Sequence, residues 1–269
     1  MLYFSNAKIN LGLNIISKRS DGFHNIESIF YPIYPQDAIE FIPNNKTKLS
    51  QSGIIIEEKE DNNLIIKAYK ILKDKYELPP LHFHILKNIP FGAGLGAGSA
   101  NAAYTINALN NFFNLNISET ERQTLAMKLG SDCTFFIKNK AVFVSGKGEI
   151  LQDIKLDLSS FEIIVIHPNF SISTQEAYAN ILAQTPKKSI KEIIKKPITK
   201  WKDSLTNDFE KALFKKYPIL PKIKNELYKQ GAVYAAMSGS GSAIFGIFEK
   251  TPQSLSFGDF WTWKGKLSL

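Results

Sequence analysis

The chain has 269 residues, 44% of them apolar and 22% charged, enough to bury a large core as one big or two modest domains. Its 33 basic against 25 acidic residues leave a formal net charge of +8, and its single cysteine, Cys133, excludes an internal disulfide and suits a reducing compartment. No apolar run reaches the length needed to span a bilayer, no basic-then-apolar leader pattern opens the chain, and no Cys/His cluster has zinc spacing.

The first predicted element is a strand over Ala7–Ile15. Ala7, Ile9, Leu11, Leu13 and Ile15 share one face and Lys8, Asn10, Gly12 and Asn14 the other, a polar face that is either solvated or lines a cleft. Ser20-Asp21-Gly22 reads as a turn, followed by Phe23-His24. A helix is predicted over Leu64–Tyr76 and a strand over Leu81–Leu86, on which His82 and His84 read as ordinary strand residues.

Next comes Pro90-Phe91-Gly92-Ala93-Gly94-Leu95-Gly96-Ala97-Gly98-Ser99-Ala100, with glycine at four alternate positions. Glycine admits positive φ and close approach of a ligand to the amides. The helical spacing of Ala102, Ile106, Leu109 and Phe113 then places a helix start here, with Ser99 as the predicted N-cap or as a hydroxyl facing a metal-bound phosphate. Strand, glycine loop and helix N-terminus together make a polyphosphate site. No Lys follows the glycines, so a Walker A loop is excluded; Gly92, Gly94 and Ala97 keep a dinucleotide loop as a rival reading.

Ser118-Glu119-Thr120-Glu121 is a capping box opening a helix that Gly130 ends, and Asp132 follows in a loop or in the first turn of the next element. Phe161–His167 reads as a buried strand. Between Lys187 and Lys202 seven lysines face one acid, and Ile190, Ile193 and Ile194 make this an amphipathic surface helix ending before Pro197. Its lysines read as a solvated face that helps attract an anionic small molecule; a nucleic-acid use would show as steeply salt-dependent affinity. Ala232–Ala236 and Ala243–Phe248 read as strands flanking Met237-Ser238-Gly239-Ser240-Gly241-Ser242, a plain hairpin turn or a loop closing over phosphates. A boundary is expected near Gln152–Ser160.

Five stretches in order resemble the galactokinase/homoserine kinase/mevalonate kinase superfamily: Ala7-Lys8-Ile9-Asn10-Leu11, Asp21-Gly22-Phe23-His24, Pro90–Ala103, Gly130-Ser131-Asp132 and Met237–Ser242. The Lys-Ile-Asn-Leu opening and the Asp-Gly-Phe-His turn are similar to the branch whose acceptor is a diphosphocytidyl-linked methylerythritol of the non-mevalonate isoprenoid route; a mevalonate- or homoserine-type kinase is the alternative. The resemblance implies an α+β, two-lobe kinase fold with the active site in the inter-lobe cleft, residues 1–153 forming the lobe with the ATP loop and catalytic residues and residues 154–269 an α+β lobe. It implies ATP and Mg²⁺, a cytidine diphosphate-linked alcohol as substrate, no nucleic acid or membrane partner and a cytoplasmic place, and it allows a homodimer. Metal ligands are left unassigned.

By the same resemblance Lys8 and Asp132 are the catalytic pair. Pro90, Phe91, Gly92, Ala93, Gly94, Leu95, Gly96, Ala97, Gly98, Ser99 and Ala100 cradle the ATP phosphates, with Lys87 at the nucleotide mouth. Phe23 stacks on cytosine, His24 reads its pairing edge, Tyr178 closes from the other side and Asn10 meets the polar end of the substrate. Phe23 stands where the family usually has Tyr, Ala97 and Ala100 replace a Gly and a Ser of the loop, Ser131 replaces a common Ala, and Ser145-Gly146-Lys147-Gly148-Glu149 replaces Arg-Gly-x-Gly-Glu. Cys133 reads as packing.

Overall fold

The computed structural model describes residues 1–56, 59–179 and 181–268. Among them the chain runs β1 (Leu2–Lys18), β2 (His24–Pro43), β3 (Lys48–Gly53), α1 (Leu64–Tyr76), β4 (Leu81–Lys87), α2 (Ala97–Phe112), α3 (Glu119–Met127), α4 (Ser131–Lys138), β5 (Val142–Ser145) and β6 (Ile150–Asp153). It continues with β7 (Glu162–His167), α5 (Thr174–Tyr178), α6 (Ile190–Ile193), α7 (Asp208–Lys216), α8 (Ile219–Lys229), β8 (Tyr234–Met237), β9 (Ile244–Phe248) and β10 (Trp261–Lys266). The fold is α+β, as the resemblance implies. None of the described helices is long and apolar enough to cross a membrane.

Two compact units share the chain: residues 1–7, 35–91 and 96–140 form the first, and residues 8–34, 92–95 and 141–269 the second. In the first, β3 runs parallel to β4, and β4 pairs antiparallel with the far half of β2, from Ala38↔Leu86 to Pro43↔Leu81. Leu81, Phe83 and Ile85 alternate inward, and the rings of Phe41, Tyr69, Phe83 and Phe112 pack at centroid distances of 5.1–5.6 Å. His82 and His84 face the other way and bond the Ser50 hydroxyl, 2.9 Å from each. Among the described residues no group of three His, Cys, Asp or Glu is placed to hold a metal.

Helix α1 starts where Asn63 accepts the Ile65 amide (2.9 Å) and ends on Glu77 in the left-handed region. Ser118 caps α3 through the Glu121 amide, as the capping box predicts. The helix ends at Met127, short of Gly130; that glycine bonds back to the Ala126 carbonyl and is itself the residue from which α4 starts.

In the second unit an antiparallel sheet has the order β10-β7-β9-β8, and β7 and β9 are buried almost throughout, as a strand covered on both faces must be. Phe209 and Leu213 of α7 and Leu220, Ile223 and Leu227 of α8 pack on it in one cluster with Leu13, Ile15 and Ile26. β5 pairs with the near part of β2, Ser28↔Val144 to Phe30↔Val142, and with β6.

The expected helix across the lysine-rich stretch shrinks to α6 and a 3-10 turn at Ile198–Lys200. Pro197 disfavours helical backbone in the residue before it, the chain closes in a tight turn with the Lys196 amide on the Ile193 carbonyl (3.0 Å), and the Trp201 indole donates to the free Lys196 carbonyl (2.9 Å). Lys191 lies over the Phe143 ring and Lys202 over Tyr228, at 4.0 and 4.6 Å, so this is not one continuous basic helix face.

Candidate active site

The glycine stretch leaves β4 and turns into α2 at Gly96, which adopts φ +70° and offers no side-chain cap. Ser99, the predicted N-cap, is instead the third residue of the helix, and its hydroxyl hydrogen-bonds the Cys133 thiol. The left-handed glycine makes the turn that a capping side chain would otherwise make, so the first amides of α2 keep no side-chain acceptor. Burial alternates along the stretch: Ala93, Leu95 and Ala97 are buried, while Gly94, Gly96 and Gly98 between them are partly open. The apolar side chains fix the loop and leave glycine backbone at the surface, the arrangement a phosphate needs.

Residues 92–95 belong to the second unit, where three carbonyls of this stretch are taken up. The Ala93 carbonyl accepts from the Ala243 amide (3.1 Å), the Gly94 carbonyl from the Ser238 hydroxyl (2.8 Å) and the Leu95 carbonyl from the Lys8 amide (2.9 Å). The serine–glycine turn after β8 is therefore bonded to the glycine stretch, and Asn207 holds that turn by donating to the Met237 and Gly239 carbonyls, 2.8 Å each.

Lys8 and Asn10 sit on the polar face of β1. Residues 5–15 are buried on both faces, so that polar face is not solvated. The Lys8 ammonium donates to Asn10 Oδ1 (2.6 Å) and lies 4.4 Å from the centre of the Phe30 ring. Asn10 Nδ2 donates to the Ser28 hydroxyl (2.8 Å), which donates on to the Gly12 carbonyl (2.6 Å). A buried cation held by an amide oxygen and a ring face has a fixed position.

The Asp-Gly-Phe-His turn is tied by Arg19, whose Nε lies 3.1 Å from each Asp21 carboxylate oxygen, while Asp21 accepts the Phe23 amide (3.2 Å). Phe23 is left largely exposed, its ring facing the Lys147 ammonium at 4.8 Å. His24 is stacked on Tyr178, ring centroids 4.8 Å apart and planes 19° from parallel, and Tyr178 meets Phe209 edge-on. Burial, with the nearby Lys18 charge, pulls the His24 imidazole below its ordinary pKa, so it is neutral at pH 7 and can both donate and accept.

The remaining candidates are in the first unit. Asp132 is the second residue of α4, in the first turn, where the helix dipole favours a carboxylate. Cys133 beside it is buried, and that burial pushes the thiol up to about 12, so it is inert packing at neutral pH. Lys87 has its ammonium in the interior, ion-paired with Asp37 and 3.4 Å from Asn101 Oδ1; burial pulls it down and Asp37 opposes that. The structure thus brings Lys8 and Asn10 together, and His24 with Tyr178. Lys8 and Asp132 belong to different units. Sequence reasoning missed Ser28, Asn207 and Asp37, single polar residues inside strands or at a cap that no motif marks.

Comparison with known proteins gives the class, an ATP-dependent phosphotransferase. The family models for the GHMP kinases N terminal domain and the GHMP kinases C terminal domain match residues 63–140 and 189–257. A 4-diphosphocytidyl-2-C-methyl-D-erythritol kinase of Parabacteroides distasonis is 47% identical over 272 residues, covering 100% of both chains, and one of Azobacteroides pseudotrichonymphae is 50% identical over 251 residues, 93% of this chain and 94% of that one. A crystal structure of 4-(cytidine 5'-diphospho)-2C-methyl-D-erythritol kinase superposes with a TM-score of 0.79 at 27% identity, over 91% of this chain and 89% of that one. The chain belongs to the 4-diphosphocytidyl-2-C-methyl-D-erythritol kinase family of the GHMP kinases and is an ATP-dependent phosphotransferase acting on a small molecule. That outcome overturns the dinucleotide reading of the loop.

Proposed function

We propose that the chain transfers the γ-phosphoryl group of ATP to the 2-hydroxyl of 4-diphosphocytidyl-2-C-methyl-D-erythritol. The observation that carries this is the 47% identity along the whole length of a relative bearing that name. In this reading residues 1–153 bring the nucleotide loop and the catalytic pair, and residues 154–269 bring Tyr178 and the serine–glycine turn. Phosphoryl transfer needs positioning and charge neutralisation more than covalent help. The amides of Gly92–Ala100 receive the phosphates. Asp132 takes the proton of the attacking hydroxyl as its oxygen bonds to phosphorus and the bond to the β-phosphate oxygen breaks. Lys8 meets the charge on the transferred group. Phe23 supplies a stacking face for cytosine, and His24, Tyr178 and Asn10 hold the rest of the acceptor.

Mg²⁺ would be held by Asp132 in the first turn of α4, with phosphate oxygens and water, since such sites commonly use only one or two carboxylates. Bound there it would neutralise phosphate charge. The reading places the enzyme in the cytoplasm, and light scattering tests whether it is a homodimer.

A panel of acceptors with Mg·ATP tests the proposal: the diphosphocytidyl alcohol, mevalonate, homoserine and galactose. Turnover of the first alone is expected; turnover of mevalonate or homoserine at a comparable rate refutes it. His24→Ala should raise KM for the cytidyl substrate about tenfold, the scale of one lost hydrogen bond in a buried site, with KM for ATP little changed. Because the His24 pKa is depressed, that substrate KM should stay flat from pH 8 to 6.5 and rise only at lower pH, where the imidazolium loses its acceptor. A selective loss of ATP affinity in His24→Ala would move this side chain to the nucleotide site.

A further inference from the structure

Asp37 in β2 is completely buried, and every side of its carboxylate is occupied. Oδ1 accepts the backbone amides of Asn88 (2.8 Å) and Ile89 (2.9 Å), the residues that lead from β4 into the glycine stretch. Oδ2 accepts the Lys87 ammonium and Asn101 Nδ2 (3.0 Å), and that same Nδ2 donates to Ser5 Oγ (2.7 Å). Asn101 is the fifth residue of α2, just past the end of the stretch. One carboxylate therefore grips both chain ends of the loop. A buried ion pair by itself is weak reason for stability, because a well-packed apolar pair often does as well. What an apolar pair cannot supply is directional acceptors for two backbone amides and one side-chain amide.

We infer that Asp37 is a positioning residue for nucleotide binding: it ties the chain entering the glycine stretch to the helix leaving it, and so sets where the phosphate-binding amides point. Lys87 and Asn101 are part of that anchor. Phosphate recognition by main-chain amides depends on their direction, so a loosened anchor costs nucleotide affinity even while the protein stays folded. The inference rests on reading the glycine stretch as the ATP site.

Two substitutions separate anchoring from bulk stability. Asp37→Asn keeps an oxygen for the Asn88 and Ile89 amides, and Asp37→Ala keeps none; both leave the Lys87 ammonium without its carboxylate and lower Tm, Asp37→Ala the more, so affinity is compared in the folded fraction of each. In titrations of the full chain with a non-hydrolysable ATP analogue and Mg²⁺, Asp37→Ala should weaken binding about tenfold, the scale of losing the hydrogen bonds that hold the two loop amides. Asp37→Asn should stay within about threefold of the unaltered chain, and KM for the acceptor alcohol should move less than about twofold in both. Equal affinity in the folded fraction of the two variants overturns the inference. If Asp37→Ala does not fold, Asn101→Leu removes the arm to the helix and leaves the ion pair; it should weaken the analogue about threefold, and unchanged affinity there counts against the anchor just as directly. Gly98→Asp, which sets an anion at the start of α2, checks the site itself. If Gly98→Asp binds normally, the site reading and the anchor fall together; if it binds weakly and the position-37 variants bind normally, the anchor alone falls.

Discussion

Lys8→Met should lower kcat for phosphoryl transfer by roughly 10² or more, equivalent to at least about 2.7 kcal/mol of transition-state stabilisation, the scale seen when one preorganised electrostatic group is removed. The side chain is buried, its ammonium fixed by Asn10 and the Phe30 ring, so it is held in place before any charge develops. Met keeps most of the length and volume of the stem, so what is lost is the ammonium, with its charge and its hydrogen bond to Asn10. Asn10 Oδ1 loses its donor, which should cost about 1–3 kcal/mol of stability; Tm must therefore be recorded beside the rate. Asp132→Asn should fall by a similar factor through the other half of the pair, because an amide cannot take the hydroxyl proton. In both variants affinity for an ATP analogue should change less than about threefold, as expected for interactions made chiefly at the transition state. Single-turnover kinetics with the diphosphocytidyl alcohol is the measurement. Near-normal turnover in either variant removes that residue from the chemistry. A fall in both kcat and nucleotide affinity would instead make Lys8 a binding group.

The same residues show why some of this molecule could be read in advance and some could not. Helix α1 has the predicted bounds, Leu64–Tyr76, because its apolar spacing and the asparagine before it are local signals. The strands at 81–87, 162–167, 234–237 and 244–248 follow from unbroken or alternating apolar runs between glycine and proline stops. Family membership was legible because glycine spacing, the Lys-x-Asn strand and the Asp-Gly-Phe-His turn each carry chemistry in a short stretch. Ser99 was misplaced by the opposite circumstance: a hydroxyl near a helix start looks like a cap, yet a left-handed Gly96 had already made the turn. The lysine-rich stretch is helical only over Ile190–Ile193, because the chain closes there in a tight turn before Pro197, and periodicity contains no sign of where that turn falls. Asp37 lies 50 residues before the lysine it meets, and Asn207 lies 30 residues before the turn it holds. Such polar partners come together only through tertiary structure, and their residue types are ordinary for a strand or a helix cap.

A pair of glycine substitutions, four positions apart, should separate loop geometry from loop composition. At Gly94 the backbone has φ +76°, and a Cβ there would strike the Ser238 carbonyl, which is backbone and already accepts the Gly241 amide. Gly94→Ala should therefore cost about 1–2 kcal/mol for the left-handed conformation and a further clash that only movement of the serine–glycine turn relieves. A total of roughly 2–4 kcal/mol corresponds to a fall in Tm of about 4–12 °C for a chain of this size. The displaced turn also carries the Ser238 hydroxyl away from the Gly94 carbonyl, so the loop loses its seat and affinity for an ATP analogue should drop about tenfold or more. Gly98 is different. It lies inside α2 with ordinary helical backbone, and the nearest atoms to a Cβ are Leu64 Cδ1 at 3.8 Å and Phe91 Cε2 at 4.0 Å. Gly98→Ala should leave Tm unchanged or raise it slightly, by about 0.4–1 kcal/mol in stability, because alanine narrows the unfolded ensemble at no steric cost. Differential scanning calorimetry of both variants gives the answer: equal falls in Tm would mean that the two positions are alike and that close contact with the serine–glycine turn does not dictate glycine at 94.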